Sequence, residues 1–163
     1  MPDLSRARAP GLVRRLATMT YDLILLSSVL FMAAALFVLP LLWLTADEPG
    51  SSLSPLTGLP MLALQLYLLA VIVLYYVYFW TGGRQTLGMR AWRTLVLRAD
   101  GEPLSALDAL RRLAFAALTL APAGLGLWWM LFDHDGLTWY DRLSHTRAVL
   151  TAKPGHAKQA EEA

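Results

Sequence analysis

The chain has 163 residues, of which 56% are hydrophobic and only 16% are charged. Soluble domains are on average roughly 45–50% apolar and about 25% charged, so this composition argues against a soluble globular domain and against a disordered chain. A formal net charge of +2 is too small to indicate a nucleic-acid-binding protein. Because the chain has no cysteine, disulfides, cysteine–zinc sites and thiol catalysis are excluded.

Two apolar segments are long enough to cross a membrane as helices. The first covers residues 16–44 and contains one ionisable residue, Asp22, and the second covers residues 59–80 and contains no charge. A bilayer core of about 30 Å requires about 20 apolar residues in helical form. We predict one membrane domain over residues 11–152, a disordered cytoplasmic N-terminus over residues 1–10, and a disordered tail over residues 153–163.

The distribution of arginine predicts the orientation of these spans. Residues 1–15 contain four arginines and residues 81–112 contain six, whereas the loop 45–58 contains none. Positively charged loops remain on the cytoplasmic side. The N-terminus and residues 81–112 are therefore predicted to lie inside, and the loop 45–58 outside.

A third apolar stretch, residues 113–132, is interrupted near Pro122, where proline and glycine weaken a continuous helix. Short β-type runs precede and follow it, at residues 92–98 and 147–152. If these runs pair, they lie on the same side of the membrane. We therefore predict a broken or re-entrant helical hairpin that begins at the capping-box pattern of Ser105 and leaves both termini inside. The alternative is one proline-kinked span with the tail outside.

The predicted fold is accordingly an all-α membrane protein. It has two full transmembrane helices, a third broken or re-entrant helical hairpin, and a small cytoplasmic two-stranded β element. No internal repeat is evident in the sequence.

Asp22 is the most informative candidate site residue, because a charged group at mid-span costs about 2.5–3.5 kcal/mol, less near the ends. Arg15 lies on the same helix face, about 10 Å earlier along the axis. Thr18 is on the same side, and Arg14 is rotated further away. One interpretation is an ion or proton site near the cytoplasmic leaflet. The other is that a basic partner from another segment binds Asp22 and holds the helices together.

The segment 133–142, after the third stretch, contains two further candidates. Asp141 and its neighbour Arg142 fit a simple surface ion pair. His134 stands between two aspartates, but we interpret this trio as a solvated loop and predict no metal site. The glycine-containing loop 82–88 is not followed by the Lys-Ser/Thr pair of a phosphate-binding loop. No catalytic constellation stands out, so we predict neither an enzyme nor a cofactor.

Several sequence blocks occur together in one order: Arg15-Leu-Ala-x-x-x-Tyr-Asp22, Gly83–Trp92, Arg98–Gly101, Ala109–Arg112 and Trp139–Val149. In this order they resemble the RDD family of bacterial integral membrane proteins, over about residues 11–151. The family is named after one arginine and two aspartates. Matched residue by residue, the resemblance implies that these are Arg15, Asp22 and Asp141.

The sequence departs from the family pattern at two positions. His145, between Ser144 and Thr146, stands where the family usually has a glycine-type turn, and this bears on the conformation of the turn. Met89 stands where many members have lysine, which puts a phosphate or lipid contact there in doubt.

The resemblance implies a protein of the bacterial inner membrane for which transport, and in some members cation–proton exchange, is the usual proposal. We therefore expect a small cation/proton transporter that uses Arg15, Asp22 and Asp141 and binds a monovalent cation or a proton. Secondary candidates are Thr18, Arg14, Arg112 and Arg142. Two or three spans are too few for a closed pathway, so we expect a homo-oligomer or a larger membrane complex in the lipid bilayer. The alternative is a non-transporting accessory or assembly subunit of such a complex.

Overall fold

The computed structural model describes residues 9–45, 57–122 and 124–151. The predicted disordered tail and nearly all of the predicted disordered N-terminus and of the loop 45–58 lie outside the described residues. The elements, in chain order, are α1 (Leu12–Thr45), α2 (Leu59–Trp80), α3 (Leu87–Ala91), β1 (Thr94–Arg98), α4 (Ala106–Leu120), α5 (Leu125–Trp128) followed by a 3-10 turn (Trp129–Leu131), α6 (Trp139–Leu143) and β2 (Thr146–Leu150).

Helices α1 and α2 are both long and apolar enough to cross a membrane. An 18-residue window within α1 has a mean hydropathy of 2.5, and one within α2 has a mean hydropathy of 2.1. At 1.5 Å per residue, even the shorter α2 is about 33 Å long. The prediction of two helices of membrane-spanning length is confirmed.

Helices α4 and α5 form a bent pair, with an angle of 103° between Ala106–Leu120 and Leu125–Leu131. The predicted capping box is present, since the Ser105 hydroxyl accepts from the Asp108 N–H and the Asp108 carboxylate accepts from the Ser105 N–H. At the break, Gly124 has a φ of +73°. The predicted break in the third stretch is confirmed, and α4 begins at the predicted capping box of Ser105, so the helix includes polar residues that precede the apolar stretch 113–132.

Strands β1 and β2 form an antiparallel two-stranded sheet in which Val96 lies opposite Ala148. The predicted β element is confirmed; its last predicted residue, Ala152, lies outside the described residues. Val96 also belongs to the buried core cluster, with Trp80, Met89, Leu104 and Ala109. The sheet therefore packs on the end of α2 and on α4.

The chain divides into two compact units. One comprises residues 1–22 and 76–163, and contains the sheet, the bent pair and all the candidate site residues. The other comprises residues 23–75, where the rings of Phe37 and Tyr67 stack at 5.7 Å. The prediction of one membrane domain over residues 11–152 stays a prediction.

Two segments share one local structure, although no repeat was predicted. Residues 86–98 begin with Thr86 as the N-cap of α3 and end with β1, and residues 138–150 begin with Thr138 as the N-cap of α6 and end with β2. We call them the first and second cap units. The similarity lies in backbone conformation and in a few side chains, which explains why the sequence alone does not indicate it.

Each cap unit has a residue with positive φ between its helix and its strand. Arg93 has a φ of 54° and His145 a φ of 51°. This left-handed conformation costs roughly 1–2 kcal/mol for a residue with a Cβ. His145 is the position at which the family resemblance implies a glycine-type turn. Its positive φ is the conformation that glycine adopts most easily.

Replacing His145 with glycine is expected to stabilise the protein by about 1 kcal/mol, because glycine adopts positive φ without the Cβ penalty. The measurement is the thermal unfolding midpoint of purified protein in a mild detergent. His134→Gly is the matched control, since His134 is an exposed residue that does not have positive φ. A midpoint for His145→Gly at or below that of the wild type would contradict the expectation.

Candidate functional site

Asp141 is the third residue of α6 and is fully buried. Its carboxylate Oδ2 accepts a hydrogen bond from the Thr138 N–H at 3.0 Å, and its own N–H donates to the Thr138 hydroxyl at 3.3 Å. This reciprocal capping box fixes the carboxylate against the start of α6. The Thr-x-x-Asp pattern was a signal for this capping box in the sequence, which the interpretation of Asp141 and Arg142 as a surface pair overlooked.

Two arginines from distant parts of the chain bind Asp141. Arg15 Nη1 lies 2.6 Å from Asp141 Oδ2, and Arg112 Nη1 lies 2.6 Å from Asp141 Oδ1. The Arg15 and Arg112 side chains are only 5% and 4% exposed. We call these three residues the arginine–aspartate cluster. The cluster joins the start of α1, the middle of α4 and the start of α6.

Arg112 is held by further contacts in addition to its ion pair. Its guanidinium carbon lies 5.2 Å from the centre of the Trp80 ring and 5.1 Å from that of the Tyr140 ring. Such positions allow cation–π attraction on both sides. Arg112 Nη1 also donates to the Thr146 hydroxyl at the start of β2. The cluster is thereby connected to the sheet.

Arg15 is fixed in a similar way by backbone oxygen atoms. Its Nε donates to the Pro10 carbonyl and its Nη2 to the Gly136 carbonyl, both at 3.3 Å. The guanidinium thus satisfies acceptors before α1 and before α6 as well as the Asp141 carboxylate. Arg15 is therefore a structural tie between the two ends of the unit.

The charges of the cluster determine the protonation of Asp141. Burial by itself would raise the pKa of Asp141, but the positive charges of Arg112 and Arg15 and the hydrogen bonds from Thr138 outweigh it and hold that pKa below its ordinary value. Asp141 is therefore ionised at neutral pH, and the cluster of two arginines and one aspartate carries one net positive charge.

Asp22 is buried in a different environment. The Thr86 hydroxyl donates to Asp22 Oδ2 at 2.8 Å, and the Gly88 N–H donates to Asp22 Oδ1 at 3.1 Å. Within the described ranges, no arginine forms an ion pair with Asp22. The interpretation that a basic partner from another segment binds Asp22 is therefore wrong for these residues; the partners are a hydroxyl and a backbone amide.

Gly88 allows Asp22 to approach α3 closely. A Cβ atom at this position would lie 2.5 Å from Asp22 Oδ1 and 2.6 Å from the Thr18 carbonyl oxygen. No real Cβ is found at such distances, so a side chain here would displace α1 from α3. Glycine is required by this contact.

Arg14 and Thr18 have roles that differ from each other. Arg14 Nη1 donates to the carbonyl of Trp92, the C-cap residue of α3, at 3.3 Å. The Thr18 hydroxyl donates within α1 to the Arg14 carbonyl at 2.9 Å. Helix α1 therefore contacts both ends of α3, with a carboxylate at the N-terminus and a guanidinium at the C-terminus, which is the favourable arrangement for the peptide dipoles.

Arg142 does not pair with Asp141. Its guanidinium binds Asp133 Oδ1, with Nε at 2.6 Å, and Asp135 Oδ2, with Nη2 at 3.1 Å. The predicted surface pair of Asp141 and Arg142 is therefore wrong, because the Asp141 side chain points into the protein. The described part of the chain contains no group of three or more His, Asp or Glu side chains that could hold a metal ion.

The structure thus divides the predicted set of Arg15, Asp22 and Asp141. Arg15 and Asp141 are brought together with Arg112, whereas Asp22 has its own partners, Thr86 and Gly88. The sequence analysis did not single out those two residues as site residues, although both lie within the family-like block after the second span. The roles of the Trp80 and Tyr140 rings had no local signal, because they depend on tertiary packing.

Comparison with known families matches the description "RDD family" to residues 9–145 of this chain. The match includes the arginine–aspartate cluster, Asp22 and the α3 contacts. Comparison with curated proteins and with solved structures gives no significant match.

Replacing Asp141 with asparagine is expected to destabilise the protein by about 3–5 kcal/mol at pH 7, because two buried arginines lose their counter-charge. The loss should depend on pH. The pKa of Asp141 is lowered on folding, so its contribution is complete above the ordinary value of 3.8 and disappears as the pH falls through the lowered value. The measurement is the unfolding midpoint of both proteins from pH 7 to about pH 3.

The matched control for Asp141→Asn is Asp135→Asn, since the Asp135 side chain is 69% exposed and its pair with Arg142 is a surface pair. Its removal should cost about 0–1 kcal/mol at every pH tested. Equal stability of Asp141→Asn and wild type at pH 7, or a difference that does not shrink in acid, would contradict this account of the cluster.

Proposed function

The chain belongs to the RDD family of membrane proteins, and on that premise we propose that it exchanges a monovalent cation for a proton, with Asp22 as the exchange site. The observation that carries this proposal is the contrast between two buried aspartates in the described part of the chain. Asp141 forms ion pairs with two arginines, whereas the partners that Asp22 has among the described residues are a neutral hydroxyl and a backbone amide.

The cost of burying a carboxylate without a counter-charge favours reversible binding of a proton or a cation at Asp22. A buried charge without a counter-charge is expensive, and binding of a proton or a cation at Asp22 would remove that cost. Asp141 gains little from either, because its counter-charges are already present. We therefore assign the arginine–aspartate cluster a structural role and Asp22 the exchange role.

The hydrogen-bond partners of Asp22 are compatible with both states of the carboxyl group. A hydroxyl can donate to a carboxylate or accept from a carboxylic acid. Thr86 can therefore serve the ionised and the protonated form of Asp22 by rotation of its O–H bond. The Gly88 N–H only donates, and it favours the ionised form.

Exchange requires access from both sides, and Asp22 is only 4% exposed. Two membrane-length helices and a bent pair are few elements from which to build a closed pathway. We therefore propose that the protein works as a homo-oligomer or within a larger membrane complex, where neighbouring chains complete the pathway.

The alternative function is that of a non-transporting accessory or assembly subunit. One observation favours it: the ion pairs of the cluster join α1, α4 and α6, as expected of a scaffold. In that case Asp22 would serve only to fix α1 against α3. The two functions differ in whether neutralising Asp22 removes ion flux or only stability.

The test is proton movement in proteoliposomes that enclose a pH-sensitive dye, with sodium, potassium or lithium gradients applied in turn. The wild type is expected to move protons in response to at least one cation. Asp22→Asn should reduce this movement to the level of empty liposomes, because its side chain cannot release a proton or neutralise a cation. Matched elution profiles would establish that the variant is folded.

Asp135→Asn is the control for a neutralised carboxylate outside the site, and it should retain wild-type flux. Flux that persists in Asp22→Asn would contradict the role of Asp22. Absence of flux above empty liposomes with every cation would favour the accessory function.

We also propose that both termini face the cytoplasm of a bacterial inner membrane. The support comes from the sheet, since β1 precedes the bent pair, β2 follows it, and the two strands are hydrogen-bonded in antiparallel register. Strands on opposite sides of a bilayer cannot pair. Helix α4, at 15 residues, is also only about 22 Å long, shorter than a bilayer core.

A reporter that is active only in the cytoplasm, fused to the C-terminus, is therefore expected to be active. The same reporter inserted in the segment 46–56, between α1 and α2, should be inactive, and it serves as the opposite control. An inactive C-terminal fusion with an intact membrane protein would indicate that the bent pair crosses the membrane.

A further inference from the structure

The strands of the two cap units are related by a local two-fold axis. In the sheet, Val96 lies opposite Ala148, and these two residues occupy the same position in their own units. The hydrogen bonds at the strand ends are also exchanged by this axis. The Ala99 N–H donates to the His145 carbonyl, and the Thr151 N–H donates to the Arg93 carbonyl, both at 2.9 Å.

The capping of the two short helices is equivalent in one respect. Each unit begins with a threonine whose hydroxyl accepts from the N–H three residues later, that of Met89 at 3.0 Å and that of Asp141 at 3.3 Å. Thr86 has a ψ of 165° and Thr138 a ψ of 164°. The two positions can therefore be compared residue by residue.

The source of the capping carboxylate differs between the units. In the second unit, Asp141 is part of α6 and turns back onto its own N-cap residue, Thr138. In the first unit the equivalent residue is Met89, which has no carboxylate. The carboxylate that binds the N-cap residue there belongs to Asp22 of α1, which accepts from the Thr86 hydroxyl.

The second residue of each short helix also differs between the units in a way that suits a carboxylate from α1. The second unit has Tyr140 there, and the first has Gly88, where a Cβ would lie 2.5 Å from Asp22 Oδ1. The first unit therefore has no capping carboxylate of its own, but it has the space and the N–H donor for one supplied by α1.

We propose that Asp22 is a detachable cap of α3, so that its state controls the order of the first cap unit, and that Thr86 is the positioning residue that transmits this state. Hydrogen bonds to an ionised acceptor are about twice as strong as those to a neutral one. Neutralising Asp22 therefore weakens the cap of α3, whereas α6 keeps its own. The proposal rests on the proposed function, since binding of a proton or a cation at Asp22 would then change the order of α3 and β1.

The experiment is amide hydrogen exchange of the full-length protein in nanodiscs, followed by mass spectrometry of peptides from each cap unit. Asp22→Asn should accelerate exchange about three- to tenfold in residues 87–93, as loss of a cap does, with little change in residues 139–145. The second unit is thus an internal control in the same molecule. Equal acceleration in both segments, or in neither, would overturn the proposal.

Three further variants keep the test decisive if Asp22→Asn is poorly folded. Gly88→Ala keeps the Asp22 side chain, but the added methyl group displaces α1 and the Asp22 carboxylate from α3, so this variant should accelerate exchange in the same residues, 87–93. Thr86→Val should act on the first unit and Thr138→Val on the second. If Gly88→Ala leaves exchange in residues 87–93 unchanged, Asp22 is not the cap.

Added cation separates this proposal from the proposed function. Sodium, potassium or lithium, each compared with a large organic cation, should alter exchange in residues 87–93 of the wild type and not of Asp22→Asn. Acceleration by Asp22→Asn with no response to cation and no flux would support the cap and refute exchange at Asp22. Flux that depends on Asp22, with no selective change in residues 87–93, would refute the cap alone.

Discussion

The ion pairs of Asp141 with Arg15 and Arg112 are the interaction on which the compact unit depends. They join the start of α1 and the middle of α4 to the start of α6, and all three side chains are buried. A buried ion pair is not stabilising by itself, because desolvation offsets much of the attraction. Its value is specificity, because any arrangement that separates the start of α1 from α6 leaves Arg15 buried without its counter-charge.

The need of buried charges for counter-charges distinguishes the two aspartates, Asp22 and Asp141. The buried charged residues in the described ranges are Arg15, Asp22, Arg112 and Asp141. Three of them form the cluster, which has a net charge of +1, so these buried charges sum to zero only while Asp22 is ionised. Neutralising Asp22 leaves the ion pairs of the cluster intact. The partners of Asp22, Thr86 and Gly88, lie at the start of α3, and the chain continues from α3 into β1 of the sheet.

Much of the fold could be predicted from the sequence, because it depends on local patterns. Apolar runs of sufficient length predicted α1 and α2, and the Ser-x-x-Asp pattern at Ser105 predicted the start of α4. The division of the site could not be predicted. Helical spacing placed Arg15 and Asp22 on one face, but their partners come from α3, α4 and α6, which only the tertiary structure brings near. The burial of Asp141 was not predicted, because its partners Arg15 and Arg112 lie far from it in the sequence.

The pairing of Arg15 with Asp141 also has a consequence for the order in which the chain is made. The partners are 126 residues apart, so α1 is synthesised and inserted long before Asp141 leaves the ribosome. During that time Arg15 lacks the counter-charge that Asp141 later provides. Once Asp141 arrives, the same charge is buried. The arginine–aspartate cluster can therefore form only after α6 has been synthesised, so the ion pair of Arg15 is a late contact in the assembly of the fold.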